Sequence, residues 1–227
     1  MGTNWRKLVR ITEEGYNDNV TMVAIALFFA KHLSFAENPE KVFAAFEKQL
    51  GAQKSLSGEL TGTGPGATFK SSFLLHKPRS FKVIDGQIDM FCNGMVQVNH
   101  LVAEKEFFSR HVSKQGFSPP YAALDAFFGK PTGSTAPYFF KKTEFQIQTV
   151  DGKTYAAKIT HFESFERDDR MTYLIDVKTK QILGWDQVFG GTVMHYRFGN
   201  LRSNIDVPKN AFDWKPIAGV KERKGRS

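Results

Sequence analysis

The sequence predicts a mainly β (α+β) fold, a barrel or strongly curved antiparallel sheet of roughly ten or eleven strands with two short helices. Three observations predict it. From residue 56 onward apolar side chains recur with a period of two, as on a strand with one apolar face. Between these runs stand Asp85-Gly86, Asn93-Gly94, Asp151-Gly152 and Gly190-Gly191, dipeptides that supply the positive φ angles of tight hairpins. Helical spacing occurs in only two places, so the crossover helices that parallel strands need are missing.

The elements follow in order. Asn38 is a capping residue, Pro39 suits a first turn, and Val42, Phe43, Phe46 and Leu50 then recur on one helical face. Gly51 is expected to close that helix as a C-cap. From Leu56 the period changes to two. The run Gly62-Thr-Gly-Pro-Gly66 reads as a turn, and Phe69, Ser71, Phe73 and Leu75 alternate with Lys70, Ser72 and His76. Short strands are expected around Phe81–Val83, Ile88–Cys92 and Met95–Val102. After Ser118-Pro119-Pro120, the residues Tyr121, Leu124, Phe127 and Phe128 return to helical spacing, and Gly129 stops them. A loop rich in Gly, Ser, Thr and Pro covers 129–137. Strands resume at Phe139–Val150, Thr154–Glu166, Met171–Val177, Gln181–Val188 and Thr192–Phe198. No long linker separates two cores, so 37–220 reads as a single domain, followed by a basic flexible tail at 221–227.

Composition narrows the function. The 227 residues are 41% apolar and 24% charged, which is globular rather than disordered. A single cysteine rules out an intrachain disulfide and any CxxC zinc or iron–sulfur site. The net charge of +8 favours anionic partners without naming one. The apolar run Ala24–Ala30 is far too short to span a bilayer, which excludes a polytopic membrane protein.

Residues 1–36 stand apart. Arg6, Lys7 and Arg10 precede the apolar stretch Val20–Ala30, and Ser34-Phe35-Ala36 offers small residues where a signal peptidase cuts. They read as a signal peptide or an N-terminal extension, although Glu13, Glu14 and Asp18 are unusual in a leader. A helix packed on the domain is the other reading. A leader places the mature chain in the periplasm or outside the cell.

Motifs for catalysis are weak. Gly62–Gly66 lacks the Lys-Ser/Thr of a phosphate loop. His161 and Glu163 share one side of a strand and His195 lies on a later one, so a barrel enzyme with a metal on these three is a distant possibility. No GxSxG or HExxH motif occurs, and Cys92 sits in an apolar strand where thiols are inert. Glu166, Asp168 and Asp169 are interleaved with Arg167 and Arg170, as on a solvated hairpin. No catalytic residue, metal or cofactor is expected. The Lys and Arg residues of the tail do not interleave with aromatics as stacking platforms do, so nucleic acid is not an expected partner.

The 22 phenylalanines are the strongest signal. Large apolar rings line a ligand cavity without leaving polar groups unpaired, and each buried one contributes about 2 kcal/mol. An ordinary phenylalanine-rich core explains the composition equally well.

Several segments together resemble one family. Lys54-Ser-Leu-Ser-Gly-Glu-Leu60 follows the first helix, Phe73–Val83 contains a strand, a Lys77-Pro78 corner and a second strand, and Phe91–Val96 places Asn-Gly before an apolar strand. Tyr173–Leu183 contains an Asp-x-x-Thr hairpin, and Val207-Pro208-Lys-Asn-Ala-Phe212 closes the series. This order resembles the outer-membrane lipoprotein carrier superfamily, the LolA/LolB-like periplasmic lipoprotein-sorting proteins. The resemblance implies an unclosed curved antiparallel β half-barrel with helices plugging its open side and acyl chains sheltered between. Carriers of this type tie the helical lid down with an arginine before the corner proline. Here Lys77 stands there, without the planar bidentate geometry of arginine, and Arg79 is the candidate substitute.

The expected function is a non-enzymatic, monomeric carrier of lipid or acylated lipoprotein, exchanging cargo with a membrane-bound donor or acceptor protein. The alternative is an envelope sensor or protein-interaction module using the same groove. The candidate lining is Phe69, Phe73, Leu75, Phe81, Val83, Met90, Val96, Val98, Phe145, Ile147, Met194 and Tyr196, with Lys77 and Arg79 gating and residues 39–50 and 120–128 as the moving helices.

Overall fold

The computed structural model describes residues 37–115, 117–136, 140–163 and 168–223; the expected leader at 1–36 lies outside the described residues. Helix α1 spans Pro39–Gly51. Asn38 caps it, its side-chain oxygen accepting from the amides of Glu40 at 2.9 Å and Lys41 at 3.4 Å. Val42, Phe43, Phe46 and Leu50 are buried, so packing rather than intrinsic propensity holds this short helix. Gly51 has another role than the one expected. The cap is Ala52 in right-handed geometry, and a Cβ on Gly51 would press on the Ala126 carbonyl at 3.3 Å. The glycine lets α1 approach its neighbouring helix closely.

Among the described residues, twelve strands form one sheet. The first meander comprises β1 (Ser55–Gly64), β2 (Ala67–His76), β3 (Ser80–Ile84), β4 (Ile88–Asn93), β5 (Val96–Leu101) and β6 (Glu106–His111). A crossing segment contains the 3-10 helix Ala122–Phe128, closed as expected by Gly129 at φ +78. The second meander is β7 (Phe140–Val150), β8 (Lys153–Phe162), β9 (Arg170–Asp176), β10 (Ile182–Phe189) and β11 (Thr192–Ser203). Pairing of β1 with β11 joins the two and, with β12 (Lys221–Glu222) at one edge, gives the order β12-β6-β5-β4-β3-β2-β1-β11-β10-β9-β8-β7. The two ends do not meet, so the curved sheet stays open, as the fold class predicts.

Turn side chains fix the hairpins. Asp85 Oδ1 accepts the amides of Gln87 and Ile88, both at 2.7 Å, and Asn93 Oδ1 accepts those of Met95 and Val96. Asp176 Oδ1 does the same for Lys178 and Thr179.

Two strands exceed the expected set. β6 carries Phe107 and Phe108 side by side, which hides its alternation. At the start of the expected basic tail, β12, Lys221–Glu222, pairs parallel with β6, Lys221 donating its amide to the Lys105 carbonyl at 3.0 Å and Arg223 to that of Phe107 at 2.7 Å, while 224–227 lie outside the described residues. Arg223 also meets Glu106 at 2.6 Å.

The core lies between one face of the sheet, here the inner face, and the two helices. Cross-strand register defines that face: Phe73 opposes Val83, Val83 opposes Met90, and Leu75 opposes Phe81, which opposes Cys92. In the second meander Phe145 opposes Lys158, Lys158 opposes Tyr173, Tyr173 opposes Trp185, and Trp185 opposes Tyr196.

Candidate functional site

The inner face brings together ten of the twelve expected lining residues. Phe73, Leu75, Phe81 and Val83 are buried at its centre, and Phe69, Met90, Phe145, Ile147 and Tyr196 pack partly buried around them. Met194 shares this face, its Sδ lying over Gly64. Val96 and Val98 are corrections. Val98 opposes Phe91, which opposes Lys82, so both valines stand on the outer face. Their inward neighbours are Gln97 and Asn99, buried and joined by a hydrogen bond of 3.0 Å, with Arg110 donating to Gln97 at 2.9 Å. The valine alternation marks a second covered surface, where the C-terminal segment brings Trp214 to 4.3 Å from Phe107 and 6.2 Å from His100, ring centre to ring centre.

Aromatic side chains that sequence reasoning passed over complete the inner face. Trp185 stacks on Tyr196 at 4.4 Å with the rings 9° from parallel. Tyr121 reaches down between Phe73 and Phe198, at 5.6 and 6.2 Å, and its hydroxyl meets Ser71 Oγ at 2.9 Å. Burial pushes the Tyr121 hydroxyl up to about 12, so it stays protonated. Phe43 of α1 meets Phe145 edge-on at 5.4 Å, and Phe117 contacts Phe81 and Phe128. These rings occupy the space where a cavity is expected. A recess of about 80 Å³ opens beside them, with Phe46, Leu50, Leu56, Leu124, Ile182 and Leu201 as its apolar wall.

The expected gating pair separates. Lys77 Nζ donates to the carbonyl of Gly51, the last residue of α1, and lies 5.4 Å from the centre of the Phe127 ring. It thereby caps the negative end of the helix dipole and touches the 3-10 helix. Burial pulls its ammonium below the usual lysine range. Arg79 contributes its backbone carbonyl to the Cys92 thiol at 3.4 Å, and among the described residues its side chain makes no hydrogen bond or ion pair with the helices.

A polar cluster beneath the helices escaped the sequence reading. Lys158, pointing inward from β8, donates to the Thr132 carbonyl at 2.6 Å, and the Thr132 amide donates to Glu47 of α1 at 2.8 Å. Asp125 of the 3-10 helix is fully buried and accepts from the Thr135 amide at 2.8 Å, the Thr135 hydroxyl at 2.6 Å and Ser134 Oγ at 3.2 Å. The available signal was a lysine at an inward position between Ala156 and Thr160.

Burial raises the Asp125 carboxyl above the ordinary range, against the hydrogen bonds that lower it. The folded form therefore holds this proton more tightly than the unfolded chain. The associated stability is complete below the unfolded value of about 3.9 and is lost as pH rises through the folded value. Asp125→Asn, neutral at every pH, is expected to flatten that decline. Urea midpoints of both proteins from about pH 4 to pH 7 check it, and a constant difference between them removes the assignment.

The histidines proposed for catalysis line a groove of about 490 Å³ on the outer face of β7–β11. His161 lies between Asp168 at 3.0 Å and Glu144 at 3.2 Å, and His195 meets Asp186 at 2.7 Å, which also pairs with Arg197. Glu163 is exposed and does not line the groove. Among the described residues no group of three or more His, Cys, Asp or Glu side chains is placed to hold a metal ion.

With this geometry in view, the chain can be set beside known proteins. No protein-family model matches it, and no curated protein matches it by sequence. Among solved structures, an uncharacterized conserved protein from Thermus thermophilus superposes with a TM-score of 0.53 at 9% identity, over 81% of this chain and 98% of that one. The two share a fold. The chain is also similar to a LolA superfamily protein from Nitrosomonas europaea, with a TM-score of 0.38 and 7% identity over 79% of this chain and 99% of that one. A third likeness, with a TM-score of 0.37 and 10% identity, is to the Pseudomonas aeruginosa MucA/MucB complex structure, covering 76% of this chain and 60% of that one.

Proposed function

We propose that the protein is an exported, non-enzymatic carrier that shelters the acyl chains of a lipid or lipoprotein between the inner face of the sheet and the helices above it. One observation carries this reading. The inner face is mainly apolar from Phe69 on β2 to Ile147 on β7, with Lys158 as an inward charge, yet among the described residues it is covered by one helix, a single 3-10 helix and a loop rather than by a second sheet. A cover of separate pieces can lift, and an acyl chain can take the place of the rings it releases. Each methylene buried there contributes about 0.8 kcal/mol, so one chain supplies several kcal/mol without a polar contact. Export rests on the leader read in residues 1–36, and monomeric exchange with a membrane-bound donor or acceptor belongs to the same reading.

Native mass spectrometry with organic extraction, on protein purified without detergent after export expression, tests it. The expected spectrum begins at Glu37 and carries acyl-chain adducts. A clean mass without adducts overturns the carrier and leaves a protein-binding module using the same groove.

A further inference from the structure

Two lysines, one at the corner between β2 and β3 and one on β8, each hold a backbone carbonyl of the helical cover. Lys77 holds Gly51 at the end of α1, and Lys158 holds Thr132 in the loop after the 3-10 helix. That loop is tied in turn to both helices. Glu47 of α1 accepts the Thr132 amide, and Asp125 of the 3-10 helix gathers Ser134 and Thr135. Gly133 fits the loop tightly to the sheet. It adopts φ +84, and a Cβ there would stand 2.8 Å from the Tyr173 ring. The two helices and residues 129–136 are therefore one body, and among the described residues its side-chain hydrogen bond to the β7–β9 side of the sheet comes from the Lys158 ammonium.

We propose that Lys158 and the Thr132 carbonyl form a latch whose release lets α1, the 3-10 helix and residues 129–136 lift from the sheet together, setting how often the inner face opens. The purpose of the latch, admission of acyl chains, rests on the carrier reading. The physics distinguishes two parts of the opening. Contacts such as Phe43 against Phe145 are apolar, and an acyl chain replaces them like for like. It offers nothing to a carbonyl or an ammonium. The apolar cost of opening is thus offset by cargo, whereas the polar cost is not. Lys158 is only partly buried, so water takes over its hydrogen bonds once the latch parts and the step is reversible.

Hydrogen-exchange mass spectrometry on the full chain tests the latch, with the ladder amides of β1 and β2 as an internal control. Those amides bond across the β1–β2 pair, so they exchange only when the sheet itself opens. In Lys158→Met, amides in 39–51 and 122–136 are expected to exchange about tenfold faster while those of β1 and β2 are unchanged. Unchanged exchange, or equal acceleration of the helices and the β1–β2 ladder, overturns the proposal. Should that variant fail to fold, Lys158→Leu, which also removes the donor, is read by the same criterion. Binding of the fluorescent fatty acid cis-parinaric acid separates the two readings. Faster exchange without fatty-acid binding by the wild type sinks the carrier and spares the latch. Binding by the wild type at a rate that Lys158→Met leaves unchanged sinks the gating role and spares the carrier.

Discussion

Replacing Phe73 with alanine is expected to lower the free energy of unfolding by about 3–5 kcal/mol, read from urea denaturation. Phe73 is 4% exposed and lies between Tyr121 at 5.6 Å and Phe198 at 5.7 Å. Beneath it Gly58 of β1 has no side chain, and a Cβ there would reach the Phe73 ring at 2.9 Å. The ring thus fills a depression made for it, and no neighbour on β1 can collapse into the space left by its removal. Phe69→Ala should behave differently. Phe69 is partly exposed, lies over Gly62 and touches Tyr196 at 5.7 Å, so its loss is expected to cost about 1 kcal/mol. On the carrier reading, that variant stays folded and binds cis-parinaric acid more weakly. The pair divides the expected lining into a structural centre and a rim exposed enough to meet cargo first. A cost below about 1 kcal/mol for Phe73→Ala would show that the centre is loosely packed.

Much of the fold is legible because its signals are local. The first helix is written in Asn38, Pro39 and the spacing of Val42, Phe43, Phe46 and Leu50, and each hairpin in an Asp or Asn whose side chain organises its own turn. The register of strands far apart in sequence is not local. Nothing between residues 95 and 102 says whether Val96 and Val98 or Gln97 and Asn99 face inward; the pairing of Cys92 with Gln97 decides it. Because side chains alternate, a strand covered on both faces gives no single apolar side to read. The two lysine tethers were unequally visible for a similar reason. Lys77 stands before a proline in a corner that resembles a known motif, whereas Lys158 gains its meaning from Thr132, Glu47 and Asp125, which three separate elements bring to it.

The clearest failure of period-two reading occurs at Ile182-Leu183-Gly184-Trp185, and a single methyl group is expected to expose it. Ile182 and Trp185 both belong to the inner core, although strict alternation over three residues puts them on opposite faces. A register shift between Ile182 and Gly184 in the pairing with β9 resolves the conflict. Gly184 makes the shift possible at φ +148, with β11 so close that an added Cβ would collide with the Tyr196 carbonyl and stand 3.0 Å from the Arg197 Cα. Backbone cannot yield as a flexible side chain does. Gly184→Ala is therefore expected to lose about 3 kcal/mol or more, from backbone strain and overpacking combined. The effect should reach beyond stability, because the bulge aims Trp185 onto Tyr196. Parting that stack changes the surroundings of one of only three tryptophans in the chain, so the emission maximum should move with the urea midpoint. A variant with both values at wild-type levels would mean that β10 and β11 have room to spare, and that some contact other than this bulge turns Trp185 inward.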